Sequence, residues 1–109
     1  MRAPLFRERG NTLIHVAIVG LKSNQERKVE RRFSGTVKFT FLPADRSNTR
    51  LPAGADWVVV TRFTQHRWSR AATAQFPRRR VSFCAGGVVT ILQLVGHALS
   101  VLEPLVELA

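Results

Sequence analysis

Two side chains in this sequence could act together as a nucleophile and its base. Cys84 ends a short apolar segment just before Gly86, and His66 lies in a polar stretch upstream. A cysteine at that position would lie near a helix N-terminus, which stabilises a thiolate. The phosphatase pattern Cys-x5-Arg, however, needs an arginine where Thr90 stands. The pair stays conceivable, but a buried and unreactive cysteine is the favoured interpretation. We assign no catalytic residue and expect no enzyme.

Metal and carboxylate chemistry have even less support in the sequence. The three histidines, His15, His66 and His97, lack the spacing of metal ligands, and the single cysteine excludes a zinc cluster and an intrachain disulfide. The acids of the central region, Asp45 and Asp56, are not predicted to meet at one sheet edge. We therefore expect no metal and no cofactor, and His15 is interpreted as a hydrogen-bonded core residue of a strand.

Arginine is the residue type that dominates the chemistry of this chain. The 109 residues include 17 Lys and Arg against 7 Asp and Glu, for a net charge of +10. Guanidinium groups bind phosphate in a bidentate geometry and stack on bases. Every lysine and arginine lies between Arg2 and Arg80. This asymmetry indicates one region that faces a polyanion and one that is packed or faces a partner, whereas a basic but merely solvated surface is the alternative.

The elements that position these residues follow from the apolar patterns. Strands are predicted by runs of β-branched and aromatic residues, of which VKFTFL alternates as an edge strand does. Helices are predicted where apolar residues recur on one stripe. The predicted strands are Leu13–Gly20, Val37–Leu42, Trp57–Val60 and Val81–Cys84, and the predicted helices are Gln25–Phe33, the segment from an N-cap at Thr64 to Phe76, and Val88–Leu102.

The last predicted helix is apolar almost all round. Such a helix is either central or at a subunit interface, so we expect a homo-oligomer or a protein partner to contact Val88–Leu102. We expect Glu103 and Pro104 to end it and Leu105–Ala109 to form an apolar tail. The apolar run is short for a bilayer span. No membrane contact is therefore expected.

The order of these elements predicts an α/β protein with a single small domain of Rossmann-like or flavodoxin-like type. Its core would be a four-stranded parallel sheet of order 2-1-3-4 with flanking helices. Residues 1–11 are expected to form a basic N-terminal arm and residues 12–109 the domain. The N-terminus lacks the apolar segment of a signal peptide, and a lone cysteine fits a reducing compartment. We therefore expect a cytoplasmic protein.

Ligands of open α/β sheets gather at the carboxyl ends of the strands. The polar residues expected at that edge are Lys22, Ser23, Asn24, Arg46, Arg62, Thr64, Gln65, His66, Gly86 and Gly87. Other arginines fall on helix faces or before the fourth strand, where a small anion at one edge could not reach them. A long polyanion could. The residues predicted to contact phosphate are Lys22, Arg27, Arg31, Arg46, Arg62, Thr64, His66, Arg67, Arg70, Arg78, Arg79 and Arg80.

Three segments of the chain resemble a small bacterial family, domain-of-unknown-function family 2325. They are IHVAIVG, ADWVVVTRFTQH and FCAGGVVTILQLV. The resemblance implies a small Rossmann-like domain with a Ser-His or similar pair after the third strand and a glycine turn before the last helix. His66 and Gly86-Gly87 match that pattern. Arg62 stands where members often have an acid and Gln65 where they often have serine, which makes this site more cationic. The fold alone implies no activity.

The function that explains most of the sequence is nucleic-acid binding, to DNA or RNA, through the phosphate backbone. No helix-turn-helix, zinc finger or pair of RNA-binding aromatic motifs is visible, so little sequence preference is expected. One alternative is an interaction or regulatory module that docks through its last helix. Another is a nucleotide- or phospholigand-binding domain that uses Arg62, His66 and Gly86-Gly87, although the turn after the first strand matches no phosphate-loop motif.

Overall fold

The structure is a computed structural model that describes residues 14–33, 35, 37–61 and 66–108. The expected N-terminal arm and the predicted phosphate ligands Arg62 and Thr64 lie outside these residues. The elements in chain order are β1 Ile14–Val19, α1 Ser23–Arg32, β2 Val37–Leu42, β3 Trp57–Thr61, α2 His66–Gln75, a 3-10 turn at Arg78–Arg80, β4 Val81–Cys84 and α3 Val88–Leu108.

The four strands form one parallel sheet in the order β2-β1-β3-β4. This confirms the predicted fold class and strand order. The two central strands are almost entirely buried, with only His15 of β1 partly exposed. Long β-branched runs suit such strands because both of their faces are covered by helices. The alternating β2 lies at one edge, as its pattern predicted.

The sheet has an apolar layer on each face. On the first face, α1 and α3 pack on β1 and β3 through residues such as Val29, Ile91 and Val95, which are all at most 1% exposed. On the second face, α2 packs through Trp68 and Ala72, both fully buried. Burying one large apolar side chain contributes about 1.5–3 kcal/mol. The two layers therefore hold the sheet between helices, and the edges of the sheet stay accessible.

Helix α1 is mostly exposed, because Val29 is its only buried residue. The Gln25 side chain accepts a hydrogen bond from the backbone N–H of Lys22 at 3.0 Å, which satisfies one group at the helix N-terminus. The segment after the helix turns through Gly35, whose φ of 78° is a left-handed conformation that favours glycine. This turn returns the chain to the start of β2.

The connection between β2 and β3 is fixed by side chains of α2. The Trp68 indole donates a hydrogen bond to the Ala44 carbonyl at 2.8 Å. The Gln75 amide accepts from the Leu51 N–H at 2.9 Å and donates to the Leu51 carbonyl at 3.2 Å. Leu51 itself is 2% exposed. The polar, proline-containing connection is thus anchored at both ends of the helix.

Helix α3 extends further than the sequence predicted. It runs to Leu108, so the expectation that Glu103 and Pro104 end it is wrong. A proline within a helix removes one hydrogen bond, here to the carbonyl of Ser100, and the buried Leu99 and Leu102 hold the preceding turn against the sheet. Val89 and Val101 are 70% and 44% exposed. Among the described residues, no helix has the length and apolarity that crossing a membrane requires.

Candidate functional site

The parallel sheet gives the molecule two different edges. We call the end where the strands finish the carboxyl edge and the end where they begin the amino edge. Each helix that joins two parallel strands starts at the carboxyl edge and ends at the amino edge. Helix α1 therefore ends with Arg31 and Arg32 at the amino edge, and the Arg78–Arg80 turn lies there because it leads directly into β4. The predicted site residues are divided between these two edges.

At the carboxyl edge, a cleft of about 220 Å³ opens between the ends of β3 and β4 and the start of α2. His66, the first residue of α2, is exposed at its rim, and Cys84 lies in its wall. The structure thus brings together the two residues that could form a nucleophile and a base. The cleft is lined by Val60, Thr61, His66, Ser69, Phe83, Cys84 and Ala85.

The position of the Cys84 thiol indicates a structural role and not a reactive one. It is 2% exposed, and its Sγ donates to the Gly86 carbonyl at 3.6 Å. A thiol that is buried away from solvent in such a contact is poorly placed to attack a substrate. Gly86 itself is required by close packing, since a Cβ there would collide with the Thr90 hydroxyl. Thr90, which stands where a phosphatase would have arginine, therefore packs against the turn before α3.

Two of the predicted cations lie exposed toward the carboxyl edge. Lys22 is the N-cap of α1, and Arg46 is in the connection after β2. Both side chains are solvent-accessible, but they belong to separate strand ends. The remaining predicted ligands of this edge, Arg62 and Thr64, lie outside the described residues. Over the part of the chain that the structure describes, no three His, Cys, Asp or Glu side chains lie together as a metal site would require.

The amino edge carries more exposed positive charge. Arg31 and Arg32 at the end of α1, Lys38 of β2, and Arg78 and Arg79 before β4 are all exposed. Three strand spacings separate β2 from β4, so these cations span about 14 Å of sheet width. This row of charge continues up the exposed side of α1.

The exposed side of α1 borders a hollow of about 440 Å³. Arg27 and Arg31, one turn apart, line it together with Glu30, Gly35 and Val37. Arg27–Arg31 and Lys28–Arg32 are like-charged pairs at i and i+4, and each such pair costs an isolated helix about 0.2–0.5 kcal/mol. The helix therefore keeps a cationic surface that does not help it to fold.

Two of the predicted phosphate ligands are instead held by the protein. The Arg67 guanidinium donates to the carbonyls of Ala44, Arg46 and Ser47 at 3.3, 2.6 and 3.0 Å and lies 5.9 Å from the Trp68 ring centroid. Arg80 is half-buried and donates to the Asp56 carbonyl at 3.2 Å. Arg70 is exposed on α2.

His15 is the hydrogen-bonded histidine that the sequence predicted. Its Nε2 lies 2.7 Å from the Thr40 hydroxyl, and its backbone N–H donates to the Asp56 carboxylate at 2.9 Å. Burial lowers the pKa of His15, and the Lys38 charge lowers it further, whereas Asp56 and a hydrogen bond to the Gly54 backbone act in the opposite direction. The imidazole is thus a structural link between β1, β2 and the start of β3.

An aromatic row at the outer margin of β2 was not predicted as part of a site. Phe39 and Phe41 stack, with their ring centroids 5.5 Å apart and an angle of 15° between the ring planes. The ring centroids of Phe33 and Phe39 are 6.3 Å apart. The Arg32 guanidinium lies 5.5 Å from the Phe33 ring centroid. The alternation in VKFTFL placed Phe39 and Phe41 on one face, but only the folded chain adds Phe33 and Arg32. All three rings are partly exposed.

Comparison with known proteins adds no relative to this picture. No family model matches the chain, and neither a curated protein nor a solved structure matches it. The resemblance to domain-of-unknown-function family 2325 therefore stays a prediction. The function has to be argued from the residues of this chain alone.

Proposed function

We propose that this protein binds nucleic acid through the phosphate backbone, with the exposed side of α1 and the amino edge of the sheet as its contact surface. One observation carries the proposal. Within the described part of the chain, none of the exposed guanidinium groups of Arg27, Arg31, Arg78 and Arg79 has an ion pair with a carboxylate. Cations without an internal partner are available to an external anion.

The spread of these groups favours a polyanion over a small anion. The amino edge is about 14 Å wide between β2 and β4, which corresponds to about four nucleotides of one strand at about 3.4 Å each. A single phosphate cannot contact all the cations that are distributed across that width. A nucleic-acid backbone presents its charges at a regular spacing over that length. No base-reading motif accompanies the cations, so the proposal includes little sequence preference.

The contact set differs from the one predicted from the sequence. It adds Lys28, Arg32 and Lys38, and the predicted ligands that it leaves out are Lys22, Arg46, Arg62, Thr64, His66, Arg67, Arg70 and Arg80. Arg67 and Arg80 donate to backbone carbonyls, and Arg70 and Arg46 lie on α2 and its adjoining connection, away from α1. The proposal therefore rests on Lys28, Arg27, Arg31, Arg32, Lys38, Arg78 and Arg79. It assigns no catalytic step. Because the single cysteine is a buried thiol, the proposal includes a reducing, cytoplasmic setting.

A salt titration of binding tests the proposal. We expect the logarithm of the affinity for a mixed-sequence duplex to fall linearly with the logarithm of salt concentration, with a slope of about −0.9 for each phosphate contacted. Alanine at both Arg78 and Arg79 should reduce the magnitude of that slope by about 1.8. Binding that does not respond to salt, or an unchanged slope in the double variant, would refute the proposed contact surface.

A protein-docking function is the second candidate, and the exposed apolar residues of α3 favour it. Val89 and Val101 are 70% and 44% exposed, although Gln93, His97 and Ser100 are also exposed on the helix between them. Light scattering across a concentration series tests self-association through this helix. Serine at both Val89 and Val101 should return an oligomer to the monomer mass, and a wild-type monomer at high concentration would exclude self-association.

A further inference from the structure

The aromatic row consists of Phe33, Phe39 and Phe41 at the outer margin of β2. Strand β2 is an edge strand, so it has a neighbour on one side only and presents its free backbone groups on the other. The three rings pack against the core on their inner side but remain partly exposed. An aromatic surface is thus open to solvent beside an open strand edge.

Positive charge borders this row on both faces of the strand. On the α1 side, Arg27 and Arg31 line the hollow that reaches Val37 at the start of β2. Arg32 lies 5.5 Å from the Phe33 ring centroid, which is a cation–π distance. On the opposite face of β2, the exposed Lys38 alternates with the phenylalanines. Cations therefore lie beside the row near the start of the strand.

A purely structural role for the rings explains only part of this arrangement. The rest of the layer under α1 and α3 is sealed mainly by aliphatic residues, including Val16, Ile18 and Val37. Aliphatic side chains would seal the margin of β2 equally well. Aromatic faces next to cationic groups have a different capacity, because every base can stack on a ring while its phosphate contacts a neighbouring cation.

We propose that the aromatic row stacks the bases of a single-stranded nucleic acid that lies along β2, with its phosphates on Arg27, Arg31 and Lys38. The inference rests on the proposed function and specifies its substrate as single strands. In a duplex the bases already stack on each other and are not available to the rings. Strand β2 has six residues and is about 20 Å long, so the row could hold two or three bases, as other β-sheet platforms do.

Fluorescence anisotropy with two labelled probes tests this inference. One probe is a mixed-sequence single strand of about 12 nucleotides, and the other is the duplex of the same sequence, both at one fixed salt concentration. We expect the wild-type protein to bind the single strand at least about tenfold more tightly. Leucine at both Phe39 and Phe41 keeps apolar packing against the core but removes the rings, and should remove that preference.

A matched control comes from the other edge of the sheet. Phe83 on β4 is 49% exposed and lies far from the row across the sheet, so Phe83→Leu should leave the single-strand preference unchanged. Thermal melting of the three proteins checks that the variants fold. If the double leucine variant does not fold, ultraviolet cross-linking takes the place of its affinity measurement. The wild-type protein is then cross-linked to a single strand that contains thiouridine. Cross-links at Phe33, Phe39 or Phe41 support the inference, and cross-links confined to other elements overturn it.

The outcomes separate this inference from the proposed function. Equal affinity for both probes, or an unchanged preference in the Phe39→Leu Phe41→Leu variant, would refute base stacking. If base stacking were refuted in this way but alanine at Arg27 and Arg31 still weakened binding, the proposed phosphate binding would stand and the base stacking would not. Failure of the wild-type protein to bind either probe would remove both proposals.

Discussion

Helices α1 and α2 both carry arginines one turn apart, but the structure uses them differently. On α1, Arg27 and Arg31 face solvent beside a hollow. On α2, Arg67 is half-buried and donates to three carbonyls of the connection between β2 and β3. The difference lies in what each helix packs next to. Helix α2 lies against a long irregular segment whose carbonyl groups need donors, whereas α1 adjoins a tight turn at Gly35 that leaves its cations unused.

This comparison shows that a count of arginines does not measure a binding surface. A guanidinium has five donors and can satisfy several backbone carbonyls at once, so a basic residue can be a structural clamp. Only an arginine that has no such internal partners is available to a ligand. Experiments that separate stability from binding can therefore test the contrast between the two helices directly.

The largest expected effect is on folding, at Arg67. We expect Arg67→Ala to lower the free energy of unfolding by about 2 kcal/mol. The substitution removes the hydrogen bonds from a charged donor and leaves three backbone carbonyls without that donor. Urea denaturation measures the change. Arg70→Ala, one turn further along α2 and exposed, is the matched control and should change stability by less than about 0.5 kcal/mol. Equal effects at the two positions would remove the distinction between clamp and surface arginines.

The second effect is on binding, at the opposite helix. Alanine at both Arg27 and Arg31 should weaken nucleic-acid binding by about tenfold at low salt, since two phosphate contacts are lost. Alanine at both Arg46 and Arg70 removes the same charge from the other side of the sheet and should weaken it by less than about twofold. Anisotropy titrations of the two variants at identical ionic strength make the comparison. Equal losses would mean that net charge, and not the position of α1, determines affinity.

The sequence predicts the fold because its signals are local. The buried run WVVV and the alternation in VKFTFL identify strands by period alone, and each helix between two strands forces a parallel crossover. Strand order and class follow, and the structure confirms both. The predicted end of α3 was wrong because the rule that proline ends a helix considers only the local sequence. The helix is supported by Leu99 and Leu102, which pack against residues distant in the sequence.

The candidate site is harder to predict from the sequence. Residues that follow a strand can be placed at the carboxyl edge from chain order, and His66 and Cys84 do line one cleft there. The partners of an individual arginine depend on segments more than twenty residues away, as with Arg67 and Ala44. No periodicity encodes such a contact. Arg32 contacts its sequence neighbour Phe33, and only the fold brings this pair beside Phe39 of β2.

The smallest expected effect is on the pH dependence of stability, through the lowered pKa of His15. This pKa responds to the electrostatic field near the amino edge. Burial and then Lys38 lower this pKa below 6.5, so the folded protein binds fewer protons than the unfolded chain just below that pH. Stability from the neutral imidazole is therefore complete above about pH 6.5 and is lost as the pH falls toward the folded-state pKa. Urea midpoints measured between pH 5 and about 8 should decrease toward acid, and His15→Gln should flatten that part of the profile.

Substitution of Lys38 tests whether the edge charge is the cause. An NMR titration of the His15 ring should give a higher pKa in Lys38→Gln than in the wild-type protein, because a neighbouring cation disfavours the imidazolium. An unchanged pKa of His15 in Lys38→Gln would exclude the Lys38 charge as a cause. A bound polyanion should act in the same direction as Lys38→Gln, since its phosphates neutralise the same edge. If an added single strand raises the pKa of His15, phosphate lies near Lys38 at the amino edge; if it leaves this pKa unchanged, phosphate does not bind beside Lys38.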